Sequence, residues 1–356
     1  MANVTYYIGA GASAGKRSEN GTITEGLPCV NEITKRIGHL FVRIQRAKFH
    51  QGERDWRTPY AGLNSIADWE NAKKRLLASL QVLYEACMRN ATIDTYAKKL
   101  VLQERIAELE QMERLLTMYF MLEQVLHKPD SRYDTFLANV LQDRRKFPNE
   151  IKVLSWNYDS QFELAYDEYD QENRLSIGSK LSAIYKPFDI LKLNGSATFK
   201  KAEYIPEYVR TLRNKMSEAK EINKFADSHD SLENILPDIV YLYHLFVGEV
   251  NPTRENNTNL SFAFDYTQPS EIMFRRAKEI VESTDVLVII GYTFPFFNRK
   301  IDRQILEPLP PDAIVYIQDL HPERVRQSLQ AVCPNMKDSN IYLLNEVNQF
   351  FLPPQL

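Results

Sequence analysis

The stretch Val4-Thr5-Tyr6-Tyr7-Ile8-Gly9-Ala10-Gly11-Ala12-Ser13-Ala14-Gly15 opens with five β-prone residues and stops on glycine. A strand running into Gly-x-Gly-x-x-Ala is the pattern of dinucleotide folds, whose glycines let backbone N–H groups approach a diphosphate. A tight glycine turn also arises for purely steric reasons. Here the context speaks for a phosphate loop: an apolar strand precedes it, and helical spacing follows from Val30 to about Phe49, with Ile33, Ile37, Leu40, Phe41 and Ile44 on one face. On this reading a side chain at Gly11 would occupy the place of the diphosphate. An ordinary dehydrogenase is disfavoured, because no second strand ending in an acid follows about 20 residues later. Glu25 and Glu32 fall instead in a loop and an early helix.

Outward from this stretch, residues 63 to 127 form a block without proline, dense in Leu, Ala, Glu, Lys, Arg and Met. Leu76, Leu77, Leu80, Leu83 and Tyr84 make one apolar stripe, and Leu102, Ile106, Leu109, Met112 and Leu116 another. Two or three long helices are expected, packing on the core or on a neighbouring subunit. After Pro148 strand and helix alternate. Strands are expected at Ile151–Ser155, Ile190–Leu193, Val286–Ile290, Ala313–Ile317 and Ile341–Leu344. Helices are expected at Asp159–Tyr169, near Glu207–Phe225 and Glu271–Glu282, and at Asn298–Leu306 and Pro322–Val332. The unbroken run Val286-Leu287-Val288-Ile289-Ile290 suits a strand covered on both faces. The fold expected is α/β: a Rossmann-like parallel sheet with helices on both faces, one domain over 1–356, with a helical insertion at 63–147.

The chain has 356 residues, with 44 basic against 47 acidic side chains and a net charge of −3. No basic field calls for nucleic acid. No apolar run approaches the length of a membrane span, and the N-terminus lacks a basic flank before an apolar stretch, so a soluble, cytoplasmic protein is expected. Cys29, Cys87 and Cys333 stand far apart, and the six histidines show no ligand spacing. Neither a disulfide framework nor a protein-bound metal is expected.

Three further motifs follow strands. Ser155-Trp156-Asn157-Tyr158-Asp159 sets an amide and a carboxylate at a strand's carboxyl end, where ligands bind in open α/β sheets. Asp159 can equally serve as a plain helix cap. Lys192-Leu193-Asn194-Gly195-Ser196 places small polar residues after another strand. Gly291-Tyr292-Thr293-Phe294-Pro295 follows the most hydrophobic strand, with Asn298 and Asp302 behind it. Gly291 can be a turn glycine, and Phe294 and Pro295 core packing. All four motifs should converge on one edge of the sheet.

The ordered set GAGAS (9–13), SWNYD (155–159), KLNGS (192–196) and IIGYTFP (289–295) resembles the SIR2, or sirtuin-like, family. It is most similar to the NAD-consuming SIR2-like proteins of bacterial anti-phage defence, over nearly the whole chain outside the helical block. The resemblance implies that Gly9, Ala10, Gly11 and Ser13 contact the NAD+ diphosphate and neighbouring ribose. It implies that Asn157 and Asp159 hold the nicotinamide ribose, that Gly291 and Thr293 border the adenosine pocket, and that Asp319 reaches the adenosine ribose. Two departures bear on activity. The four-cysteine zinc module of protein deacylases cannot be built from this chain. The histidine that the family carries as general base is replaced by Asn194, and an amide has no useful basicity near neutral pH.

Two functions are weighed. The first is an NAD+ glycohydrolase that cleaves the nicotinamide–ribose bond through an oxocarbenium-like state, with catalytic Asn157, Asp159 and Asn194. It would deplete NAD+ in anti-phage defence as a homo-oligomer, with a HerA-type ring ATPase as a partner implied by the resemblance. The second is a catalytically weak or inactive NAD- or nucleotide-binding subunit that scaffolds a partner.

Overall fold

The computed structural model describes residues 2–49, 63–141, 147–169, 175, 177–178, 189–199, 205–222, 232–247, 258–264 and 268–356. In chain order they form β1 (Val4–Ile8), α1 (Val30–Arg46), α2 (Ile66–Arg89), α3 (Ile93–Leu102), α4 (Ile106–Leu126), α5 (Ser131–Val140), β2 (Ile151–Ser155), α6 (Gln161–Tyr166), β3 (Ile177–Gly178), β4 (Ile190–Lys192), β5 (Gly195–Phe199), α7 (Ile205–Ile222), α8 (Leu236–Phe246), β6 (Thr258–Leu260), α9 (Gln268–Glu282), β7 (Val286–Ile290), α10 (Arg299–Leu306), β8 (Ile314–Gln318), α11 (Pro322–Val332) and β9 (Ile341–Leu344). They group into two compact units. One comprises Met1–Cys29, His127–Ser196 and Ser261–Leu356, the other Val30–Leu126 and Ala197–Leu260.

The first unit is a parallel sheet in the order β3-β4-β2-β1-β7-β8-β9, with β3 a two-residue edge strand. Every strand pair in it is parallel, so all carboxyl ends leave at one edge. The pleat sends alternate residues to opposite faces, and both faces are covered, as the apolar runs require. Val4, Tyr6 and Ile8 of β1 join Ile151, Val153, Val286, Val288 and Ile290 against Tyr133, Phe136 and Leu137 of α5 and Phe162 and Ala165 of α6. Tyr7 joins Leu154, Leu191, Leu287, Ile289, Val315 and Ile317 against Met273 and Ala277 of α9, Ile301 and Ile305 of α10, and Val325 and Leu329 of α11. This is the Rossmann-like α/β arrangement expected. The chain fills one side of β1 with β2, β4 and β3, then the other with β7, β8 and β9, so the order reverses between β1 and β7. Ligands in such sheets bind in the crevice at that switch point, outside the carboxyl ends of the strands.

The second unit holds the helical block, but with other boundaries than 63–147. It also takes in α1, α7, α8 and β6, whereas α5 belongs to the sheet unit. Its axis is α4, buried on all sides over Leu115–Val125, where Glu123 takes Arg36 at 3.0 Å. The stripe expected from Leu102 to Leu116 is broken. Leu102 and Ile106 are exposed, and the chain turns between α3 and α4 through Glu104 at φ 57°, with Arg105 N–H bonded to the Leu100 carbonyl. That is a Schellman stop made without glycine. Among the described residues, no helix is long and apolar enough to cross a membrane.

Candidate functional site

Strand register brings the four motifs to a common line. Lys192 pairs with Ser155, Ser155 with Ile8, Ile8 with Ile290, Ile290 with Gln318, and Gln318 with Leu344. The next residues continue the ladder: Leu193 N–H donates to the Ser155 carbonyl, Trp156 N–H to Ile8, Gly9 N–H to Ile290, and Gly291 N–H to Gln318, all at 2.8–3.1 Å. Gly9, Trp156, Leu193, Gly291 and Asp319 therefore leave the sheet side by side. The expected convergence follows from the sheet being wholly parallel.

The glycine loop differs from its expected form. A single 3-10 turn, Ala10–Ser13, follows Gly9, and the first α-helix in the chain begins only at Val30. The missing side chains are also accounted for within the protein. A Cβ on Gly9 would meet the Tyr292 ring at 2.6 Å, and one on Gly11 would meet Gly291 Cα at 2.7 Å. The glycines thus serve close backbone packing between the ends of β1 and β7. Arg132 steadies the loop by donating to the Gly11 carbonyl at 2.9 Å, and Asp130 accepts the Gly15 N–H at 2.7 Å. Arg132 in turn bonds Asp130 at 2.6 Å and lies over the Phe350 ring.

Beneath this loop lies a buried polar cluster. Asn157 N–H donates to Ser155 Oγ at 3.2 Å, turning the chain so that Asn157 Nδ2 donates to the Gly9 carbonyl at 2.9 Å and to Ser13 Oγ at 3.1 Å. Ser13 Oγ donates to Asp159 Oδ1 at 3.1 Å and lies 3.0 Å from the Tyr133 hydroxyl. Asp159 Oδ1 also accepts the Gln161 N–H at 3.0 Å at the start of α6, where the N-cap position itself is Ser160. Burial raises the Asp159 carboxyl above the usual carboxylate range, against the opposing pull of Lys192. Lys192 is buried, donates to the Asp159 main-chain carbonyl, and pairs with Glu163 at 2.9 Å.

Asn194 completes the site. Its Nδ2 donates to the Trp156 carbonyl at 3.3 Å, while its Oδ1 is buried with no hydrogen-bond partner among the described residues. An unpaired buried amide oxygen costs about 1–3 kcal/mol. Ser13, Asn157 and Asp159 are thus brought together beneath Gly9, and Asn194 is tied to the main chain of Trp156, the residue before Asn157. Ala10 and Thr293 are exposed at the same edge, outside the cluster. Asp319, half-buried, accepts the His321 N–H at 2.8 Å ahead of α11, beside a groove of about 770 Å³ lined by His321, Arg324, Gln327 and Asn345.

Sequence reasoning missed Tyr133, Arg132, Asp130 and Glu163. The first three fall within the range assigned to the helical insertion, and their contacts with the glycine loop span more than a hundred residues, which no local pattern reveals. Among the described residues no group of three or more His, Cys, Asp and Glu is placed to hold a metal ion. Comparison with protein-family models and with curated proteins finds no match for this chain.

Proposed function

We propose that the chain is a SIR2-like protein that binds NAD+ at the carboxyl edge of the sheet and hydrolyses the nicotinamide–ribose bond. The observation that carries this reading is the Ser13–Asn157–Asp159 cluster under the glycine loop, with the unpartnered Asn194 Oδ1 beside it. Asn194 Oδ1 would accept a ribose hydroxyl. Nicotinamide leaves NAD+ as a neutral molecule, so the sugar develops positive charge without a proton being delivered to the leaving group. Burial disfavours the charged form of Asp159, and a cationic ribose close by would offset that cost, which binds the transition state more tightly than the ground state. Water then takes the anomeric carbon and loses a proton to solvent. No imidazole is required for either bond change, so replacement of the family histidine slows the reaction without abolishing it.

A second reading has its own support. The amide protons of Asn157 and one oxygen of Asp159 are already engaged within the chain, and Asn194 is no base. Those facts suit a nucleotide-binding subunit that acts through a partner, for which a HerA-type ATPase and self-association are the proposed routes. Nicotinamide release from NAD+ by the purified full chain, alone and with a ring ATPase, separates the two. The hydrolase reading expects release that falls about 100-fold or more in Asp159→Asn and Asn157→Ala. Tight NAD+ binding without release in every assembly establishes the second reading.

A further inference from the structure

A second buried polar network lies on the other side of Trp156. Asp302 of α10 has no exposed surface and accepts the Tyr7 hydroxyl at 2.6 Å and the Tyr292 hydroxyl at 2.9 and 3.0 Å. Tyr7 OH in turn accepts the Trp156 indole N–H at 3.0 Å, and Asn298 Nδ2 donates to Tyr292 OH at 3.0 Å. The Trp156 and Tyr292 rings lie parallel, 5.9 Å apart. Phe294, buried at φ 52°, closes the box against both tyrosines. A bulky residue held in the left-handed region is a strained one, maintained by its surroundings.

Two tyrosine hydroxyls from opposite ends of the chain therefore meet on one carboxylate, and Trp156 and Asn298 each donate to one of those hydroxyls. The cluster is otherwise apolar, with Met273, Ala277 and Val281 of α9 and Leu329 of α11 in the same core. An isolated buried acid is costly, and an apolar residue would fill the space at less cost. Its hydrogen bonds lead to Trp156, whose own carbonyl holds the Asn194 amide and which directly precedes Asn157.

We infer that Asp302 is a positioning residue for the candidate site: through the Tyr7 hydroxyl it fixes the Trp156 indole, and through the Trp156 carbonyl it sets the Asn194 amide with Oδ1 turned toward the ligand. The inference rests on the reading of Asn194 as a ligand contact. A break at Asp302 frees the indole and lets the Asn194 side chain rotate, so binding weakens although no ligand contact has been removed. Burial lifts the Asp302 carboxyl to about 7. The other groups facing it are Tyr7 and Tyr292, Arg299 on the same helix, and Cys333 after α11, whose thiol burial pushes up to about 12.

The test uses the full chain labelled with fluorotryptophan, whose Trp156 resonance is assigned by its loss in Trp156→Phe. In wild type the Trp156 signal should move with a single midpoint between pH 5 and 9. That movement should vanish in Asp302→Asn, and the NAD+ dissociation constant should rise tenfold or more. Tyr7→Phe, which removes one hydroxyl and leaves the ring, should reproduce both effects should Asp302→Asn fail to fold. A Trp156 signal that titrates unchanged in Asp302→Asn or Tyr7→Phe, or that is flat in wild type, overturns the inference. Wild type that does not bind NAD+ at all overturns the nucleotide reading instead, while the Trp156 titration still decides whether Asp302 holds the indole.

Discussion

Gly11 and Gly291 lie backbone against backbone: Gly11 N–H donates to the Gly291 carbonyl at 3.0 Å, and a Cβ built on Gly291 would come within 2.5 Å of Gly11 Cα. Gly291 also takes φ 57°, in the left-handed region. The two glycines therefore join the ends of β1 and β7 at the point where the strand order reverses, and the shape of the candidate site depends on that junction.

Gly291→Ala should be destabilising for two separate reasons. The left-handed backbone costs an L-residue about 1–2 kcal/mol, and the new methyl must push the glycine loop away from β7. Thermal unfolding should show a drop larger than the backbone cost alone. Gly11→Val should lower the melting temperature as well, because its Cβ would meet Gly291. An unchanged melting temperature in both would mean that the junction opens freely.

Lys192 and Glu163 form an ion pair with each side chain about 2% exposed. Removing one partner strands a charge in the interior, at a cost of about 3–5 kcal/mol. Lys192→Met should therefore be strongly destabilised in chemical denaturation, and adding Glu163→Gln should recover a large part of the loss. Equal destabilisation in the single and double variants would show that Lys192 acts mainly through the Asp159 carbonyl.

Much of the sheet unit was legible because its signals are local. Val286–Ile290 reads as a doubly covered strand from five consecutive apolar residues, and each motif sits directly after such a run. The coarse order of β1, β2, β4, β7, β8 and β9 follows, and their parallel pairing places Asn157, Asn194 and Gly291 on one edge. What escaped depends on distant partners or on strained backbone. No glycine marks the stop at Glu104, so two helices read as one stripe. Tyr133 and Arg132 carry no motif, and their value to the glycine loop exists only after α5 has packed on the sheet. The packing of Gly11 on Gly291 escaped for the same reason: the two glycines lie 280 residues apart in the chain.

Asp302 gives the stability of the protein a definite pH dependence. Its carboxyl is raised from an ordinary 3.8 to about 7 by burial, so between these values the folded state holds a proton that the unfolded chain releases. Stability from this group is complete below about pH 4 and is lost as pH rises through 7, by roughly 4 kcal/mol at most. Asp159 and Glu163 are also raised by burial and slope the same way. Denaturant midpoints measured from pH 4 to 8 should therefore fall less steeply in Asp302→Asn than in wild type. Parallel curves for the two proteins would contradict a proton bound at Asp302.

Asn194 is where stability and binding should part. Its Oδ1 is unpaired and its Nδ2 makes one long bond, so Asn194→Ala removes little from the folded chain: about 1 kcal/mol for the bond to the Trp156 carbonyl, against relief of the buried oxygen. The melting temperature should barely change, while NAD+ binding weakens by the loss of the ribose contact. Asn194→His should keep a donor for the Trp156 carbonyl and supply a nitrogen able to accept a proton near neutral pH, so nicotinamide release should hold or rise. Melting curves, NAD+ affinity and nicotinamide release for the three proteins separate the possible roles. Loss of all release in Asn194→Ala with affinity intact would make Asn194 a participant in bond cleavage. Affinity and release both unchanged would show that the unpaired oxygen faces no ligand, and would remove the strongest structural support for the site.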